Sequence, residues 1–158
     1  MKKAFLKINN GAFFETVKES LKNGERVKFP VAGNSMRPAL RNGDVVCVKP
    51  LNNRGLQVGS IVLSSWKGNY VLHRLVRKYG GQAVLAGDNN LVQLEMVSLT
   101  DIIAVVSACY RDEKLFSHQT NIDRIKGLAW YYTRIVRRII MKINRVRNKR
   151  NSGYEIEI

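Results

Sequence analysis

The sequence is short of the residue types that staple chains or bind metals. Only two of its 158 residues are cysteine and two are histidine. Cys47 and Cys109 stand in apolar runs without metal-ligand spacing, which predicts buried thiols rather than a disulfide framework or a zinc site. No metal and no cofactor is expected. No stretch approaches the ~18 uncharged residues of a membrane-spanning helix. The run Ala4-Phe5-Leu6 is too short for the core of a secretory signal. The expected location is therefore the cytoplasm, either free or on the inner membrane surface.

Acidic residues are scarce as well: 12 Asp/Glu stand against 27 Lys/Arg, a net charge of +15. The excess is uneven. Residues 1–121 hold 17 basic and 9 acidic side chains, net +8; residues 122–158 hold 10 and 3, net +7 in under a quarter of the length. A cluster of that kind seeks anionic lipid headgroups or nucleic-acid phosphates.

What is present suffices for a core, since 45% of the residues are apolar. The length predicts one main domain with an appendage. The expected division is a β domain with an N-terminal helix over 1–121, a basic helix over 122–150 and a tail over 151–158.

The local pattern predicts a helix over 10–23, with Asn10 as cap, Phe13, Phe14, Val17 and Leu21 as its apolar stripe and Gly24 as its stop. Strands are expected over 26–32, 44–49, 60–65, 70–77, 82–86 and 102–110. Lys67-Gly68-Asn69 joins two of them as a hairpin, and the long β-branched run from Ile102 reads as a central strand. From Asp123 the period becomes helical. Ile125, Leu128, Ala129, Tyr132, Val136, Ile139, Ile140 and Ile143 form one stripe, opposite Arg134, Arg137, Arg138, Lys142 and Arg145. One basic amphipathic helix over 123–146 is expected, followed by a frayed end over 147–153.

Three segments carry chemistry. Ser35 lies in Gly33-Asn34-Ser35-Met36-Arg37-Pro38, where glycine permits close approach and proline stiffens the loop. Its hydroxyl is a weak nucleophile until a base takes the proton, and backbone N–H groups beside it can help hold an oxyanion. His73, inside the strand run Tyr70–Arg77, is the candidate base, since an imidazole ordinarily titrates near pH ~6.5. Asp88, in Gly87-Asp88-Asn89-Asn90, is the candidate third member that orients the imidazole. Taken singly, each has a plain alternative: a turn serine, a core histidine, an aspartate bonded to its own loop. His118, in a polar stretch, reads as solvated.

Together the segments resemble the signal peptidase superfamily, which includes the self-cleaving LexA-type repressors. The serine box Ser-Met-x-Pro is matched by Ser35-Met36-Arg37-Pro38, a Gly-Asp turn by Gly43-Asp44, a second in part by Gly59-Ser60, and the last box by Gly87 to Asn90. His73-Arg74 is similar to the histidine-type base of the endoplasmic-reticulum enzymes. The likeness spans about residues 28–110. It implies a mostly β fold like the LexA C-terminal domain, with Ser35 as nucleophile and His73 as base. It also implies supporting roles for Gly33, Asn34, Met36 and Arg74.

Two positions depart from the pattern. Gly33 stands where the family often has a second, oxyanion-assisting serine, leaving that task to backbone N–H groups or Asn34. The later acids of the histidine-type enzymes fall here on Gln93 and Leu94, with Glu95 one step on. The third member is thus Asp88, Glu95 or neither.

The resemblance implies a serine endopeptidase cutting a peptide, protein or leader segment at small residues through an acyl-enzyme on Ser35. The membrane enzymes' N-terminal anchor is not expected here, so cleavage would fall on the cytoplasmic side. The alternative is a non-catalytic peptide-binding module of the same fold, tethered to the membrane surface. For the basic segment 123–146 three roles stand open: an anionic membrane surface, packing on the domain or a partner, and nucleic acid, the last disfavoured because no helix-turn-helix pattern precedes the β domain. The oligomeric state is not legible.

Overall fold

The computed structural model describes residues 10–51 and 56–151. Helix α1 (Asn10–Lys22) comes first, ending where Gly24 takes φ +81°. Among the described residues eight strands follow: β1 (Val27–Pro30), β2 (Val45–Pro50), β3 (Ile61–Trp66), β4 (Asn69–Tyr79), β5 (Gln82–Ala86), β6 (Glu95–Ser98), β7 (Ile102–Arg111) and β8 (Lys114–Ser117). All pair antiparallel, in the order β1-β2-β7-β3-β4-β5-β6, with β8 added to β7. The protein is mostly antiparallel β with helices at both ends, as the sequence predicts, and β7 is central.

The hairpin β3–β4 closes through two residues, Lys67 and Gly68, both at positive φ, with Trp66 opposite Asn69. A two-residue turn of this hand follows the natural twist of the strands. It sets the register that places Val62 opposite His73 and Ile61 opposite Arg74.

Successive side chains of a strand face opposite sides; one large apolar cluster lies on each face, and a smaller third one of Val76, Val84 and Ala86 packs under Tyr131. Phe13, Phe14, Val17 and Leu21 of α1 pack on the first, with Phe29, Val46, Val48, Ile61, Leu63 and Val106; the loop residues Met36 and Leu40 join them. The second holds Val62, Leu75, Ala83, Leu85, Val97 and Ile102. Met36 is thus a buried anchor that ties the serine loop to the core.

Three expectations need correction. β6 and β8 are absent from the sequence reading, because four-residue strands offer too few alternations to register as a period. The single helix over 123–146 is two, α2 (Asn121–Tyr132) and α3 (Arg134–Asn151), broken at Thr133. Thr120 caps α2 in a reciprocal box with Asp123. The helix also runs through residues 147–151, where a frayed end is expected; 152–158 lie outside the described residues. Both cysteines are buried and free.

Candidate active site

Ser35 sits at the tip of the loop between β1 and β2. The base of that loop is tightly tied. Asp44 accepts from the Arg41 amide at 2.8 Å and takes both forks of the Arg111 guanidinium at 2.8 and 2.7 Å. The Val31 and Gly43 amides bond across the neck, to Asp44 O and Val31 O. The Arg111 hydrogen bond, foremost, holds the Asp44 carboxyl below its ordinary range. Gly33, at φ +87°, turns the chain toward the tip, its amide donating to Asn42 Oδ1. The Arg37–Pro38 peptide is cis. Ser35 itself is exposed.

His73 is buried on β4, and its two ring nitrogens face two partners. Nε2 lies 3.1 Å from Ser35 Oγ. Nδ1 lies 3.0 Å from Glu95 Oε2. Glu95 has no solvent exposure, and its other oxygen accepts from Gln93 Nε2 at 3.0 Å. A buried carboxylate is tolerable when its lone pairs are satisfied in this way.

Asp88 does not reach His73, and the expectation that it orients the imidazole is corrected. Both its carboxylate oxygens are held by Arg74, at 2.8 Å from Nε and 2.6 Å from Nη2, in a pair buried at both ends. The third Arg74 nitrogen donates to Gly59 O at 2.7 Å. The reason is strand parity. Arg74 lies opposite Ala86, so its side chain and that of Asp88 belong to one face; Leu75, Leu85 and Glu95 lie in successive opposition, on the face His73 occupies. Glu95, the alternative third member, is the carboxylate that the register delivers.

The last box has another use. The Asn89 amide donates to Ser35 O at 2.8 Å, stitching it to the serine loop. Gly87 is the close point. A Cβ there would stand 2.8 Å from Ser35 O and 3.2 Å from His73 Nε2, so no larger residue fits without moving one of them.

What covers this loop is the start of the basic segment, for which packing on the domain was one of the open roles. α2 lies on the face that carries Arg74, and at Gly127 an added Cβ would overlap the Arg74 guanidinium. Trp130 Nε1 donates to Asp88 O at 2.9 Å. Arg134, buried at the root of α3, donates to Leu91 O at 3.2 Å, and Arg137 stacks on the Trp130 ring. The signal in the sequence was the Trp130-Tyr131 pair beside Gly127, legible only once the helices are placed. His118 is exposed. Among the described residues no group of three or more His, Cys, Asp or Glu is placed to hold a metal ion.

An exposed serine against an imidazole, backed by a buried carboxylate on a curled antiparallel sheet, is an arrangement that can make a hydroxyl nucleophilic. The chain belongs to the Peptidase S24-like family, whose model matches residues 7–107. Ser35, His73, Asp88 and Glu95 all fall within that span, whereas α2 and α3 fall beyond it. No curated protein matches the chain. Among the described residues no helix is long and apolar enough to cross a membrane.

Proposed function

We propose that the protein is a serine endopeptidase in which Ser35 is the nucleophile, His73 the general base and Glu95 the group that orients it. One observation carries the reading: a single imidazole bridges Ser35 Oγ and the buried Glu95 carboxylate at 3.1 and 3.0 Å. An ionised carboxylate only accepts, so Nδ1 carries the hydrogen and Nε2 is left to accept from the serine hydroxyl.

The chemistry then follows in two halves. Ser35 Oγ attacks the scissile carbonyl as its proton passes to Nε2, and N–H groups of the serine loop, with the Asn34 amide, hold the oxyanion. The C–N bond breaks and the imidazolium gives its proton to the leaving amine. Water enters, loses a proton to Nε2 and attacks the acyl carbon; the ester bond breaks and the proton returns to Ser35 Oγ. Glu95 stabilises the imidazolium in each half. The substrate is an extended peptide or leader segment, cut at small residues.

The binding-module alternative rests on a missing acid and on Gly33 in place of the family's second serine; Glu95 beside His73 speaks against the first ground, and the second stands. The trial is digestion of a mixed peptide library followed by mass spectrometry. Wild-type protein is expected to yield new termini at a recurring small-residue motif, and Ser35→Ala and His73→Ala to yield none. A Ser35→Ala protein that cuts as wild type does would sink the reading.

A further inference from the structure

Helix α3 carries eight Lys/Arg and no acidic residue. At 3.6 residues per turn, Ile135, Val136, Ile139, Ile140 and Ile143 share an arc of about 140°. None of the five packs on the described chain: each is half or more exposed. Arg138, Lys142 and Arg145 form a row along one border of that arc, at a spacing of four and three residues, and Arg137 stands on the other side. Trp130 and Tyr132, residue types that favour a lipid–water boundary, lie just before the helix and are exposed.

The charge selects the partner. A second copy laid against this face would bring like charges together with no acids to pair them. Nucleic acid would take up the arginines and leave five isoleucines and valines in water. An anionic bilayer satisfies both groups, since the apolar stripe enters the acyl boundary while the row Arg138, Lys142 and Arg145 meets headgroups.

We propose that α3 docks flat on an anionic membrane surface and holds the active site at the lipid–water boundary, where the substrate is a peptide segment presented at that surface. The substrate clause rests on the peptidase reading; the docking does not. The root of α3 fixes the geometry. Arg134 of α3 on Leu91 O and Trp130 of α2 on Asp88 O bolt the α2–α3 junction to the loop in which the Asn89 amide donates to Ser35 O. A docked helix therefore brings the Ser35 loop with it.

Flotation of the full chain with vesicles tests this. Vesicles of equal parts phosphatidylglycerol and phosphatidylcholine are expected to carry the protein upward, and phosphatidylcholine alone to leave it behind. Ile139→Asn with Ile143→Asn is expected to abolish flotation. Arg138→Glu with Lys142→Glu and Arg145→Glu is expected to weaken partition by at least about 100-fold. All five side chains are exposed, so folding should be unaffected, which the circular dichroism spectrum checks. Ser35→Ala should float as wild type does while losing turnover, which separates docking from catalysis. Equal binding to both vesicle types, flotation that survives the two asparagines, or a dimer that those asparagines dissociate would each overturn the proposal.

Discussion

Glu95 and His73, 22 residues apart, meet at 3.0 Å because two successive strand pairings put them on one face of the sheet. His73 shares a face with Leu75 two residues on; Leu75 opposes Leu85, and Leu85 opposes Glu95. Asp88, seven residues nearer to His73 in the chain, is held on the other face by Arg74. The two carboxylates therefore have different partners, and substitutions should separate them.

Glu95→Gln keeps the side chain's size but removes the charge that, in the proposed mechanism, stabilises an imidazolium. Turnover is expected to fall roughly 10⁴-fold with KM little changed, the scale seen when a triad acid becomes an amide. Steady-state kinetics on any peptide that the wild type cuts reads this directly. A loss of under tenfold would mean that Glu95 does not support the imidazolium.

Asp88 and Arg74 form a sealed ion pair, each almost without exposure. Arg74→Met alone leaves a buried carboxylate uncompensated and should cost about 3–5 kcal/mol. The double variant Arg74→Met, Asp88→Leu should recover much of that loss, since an apolar pair replaces a desolvated one. Urea unfolding of both singles and the double gives the coupling. Additive losses would mean that the two groups do not act as a pair.

Gly87→Ala should be a catalytic lesion in a folded protein. The added methyl presses on Ser35 O and on the His73 ring, and both cannot hold their places. A shift of about 1 Å between nucleophile and base costs about 100-fold in rate. The expected signature is a fall in kcat with the far-ultraviolet dichroism kept. Wild-type turnover in this variant would show that the loop yields freely.

Asp44 should govern the acid limb of stability. Its hydrogen bond to Arg111 holds its carboxyl low, so the folded state binds this proton less readily than the unfolded chain. The stabilisation is whole above the unfolded value near pH ~4 and drains away as the pH falls through the folded one. Asp44→Asn should flatten the decline below pH ~4 and cost about 1–2 kcal/mol at neutrality, modest because Arg111 is 32% exposed. Melting temperature against pH for both proteins is the measurement. Parallel curves would assign the acid limb to other carboxylates.

Cys109 should resist alkylation while the protein is folded. Burial, foremost, pushes its thiol up to about 11, so at pH 8 the nucleophilic thiolate is almost absent. Iodoacetamide at that pH is expected to modify it only after denaturant is added, as peptide mass mapping would show. Rapid labelling of the native chain would mean that the strand opens locally.

Much of the fold was legible. α1, the hairpin β3–β4 and the central β7 follow from apolar spacing and from Lys67-Gly68, because such signals act within a few residues. Ser35 and His73 stood out only through the order and spacing of several boxes, since a turn serine and a core histidine each have a plain use; the fold sets His73 Nε2 3.1 Å from Ser35 Oγ. β6 was not legible, and Glu95 stayed one of two candidates, because Glu95–Ser98 is too short to declare its own period.

Sequence alone determined which side chains were available: one hydroxyl on a stiff turn, one imidazole in a strand, two acids downstream, and a basic helical end with an apolar stripe. Tertiary structure alone decided which acid meets the imidazole and what the helical end is bolted to. The physical reason is that strand parity is a property of pairing. One residue of register moves a side chain through the sheet, and no local pattern around Asp88 or Glu95 records which strand will lie beside it.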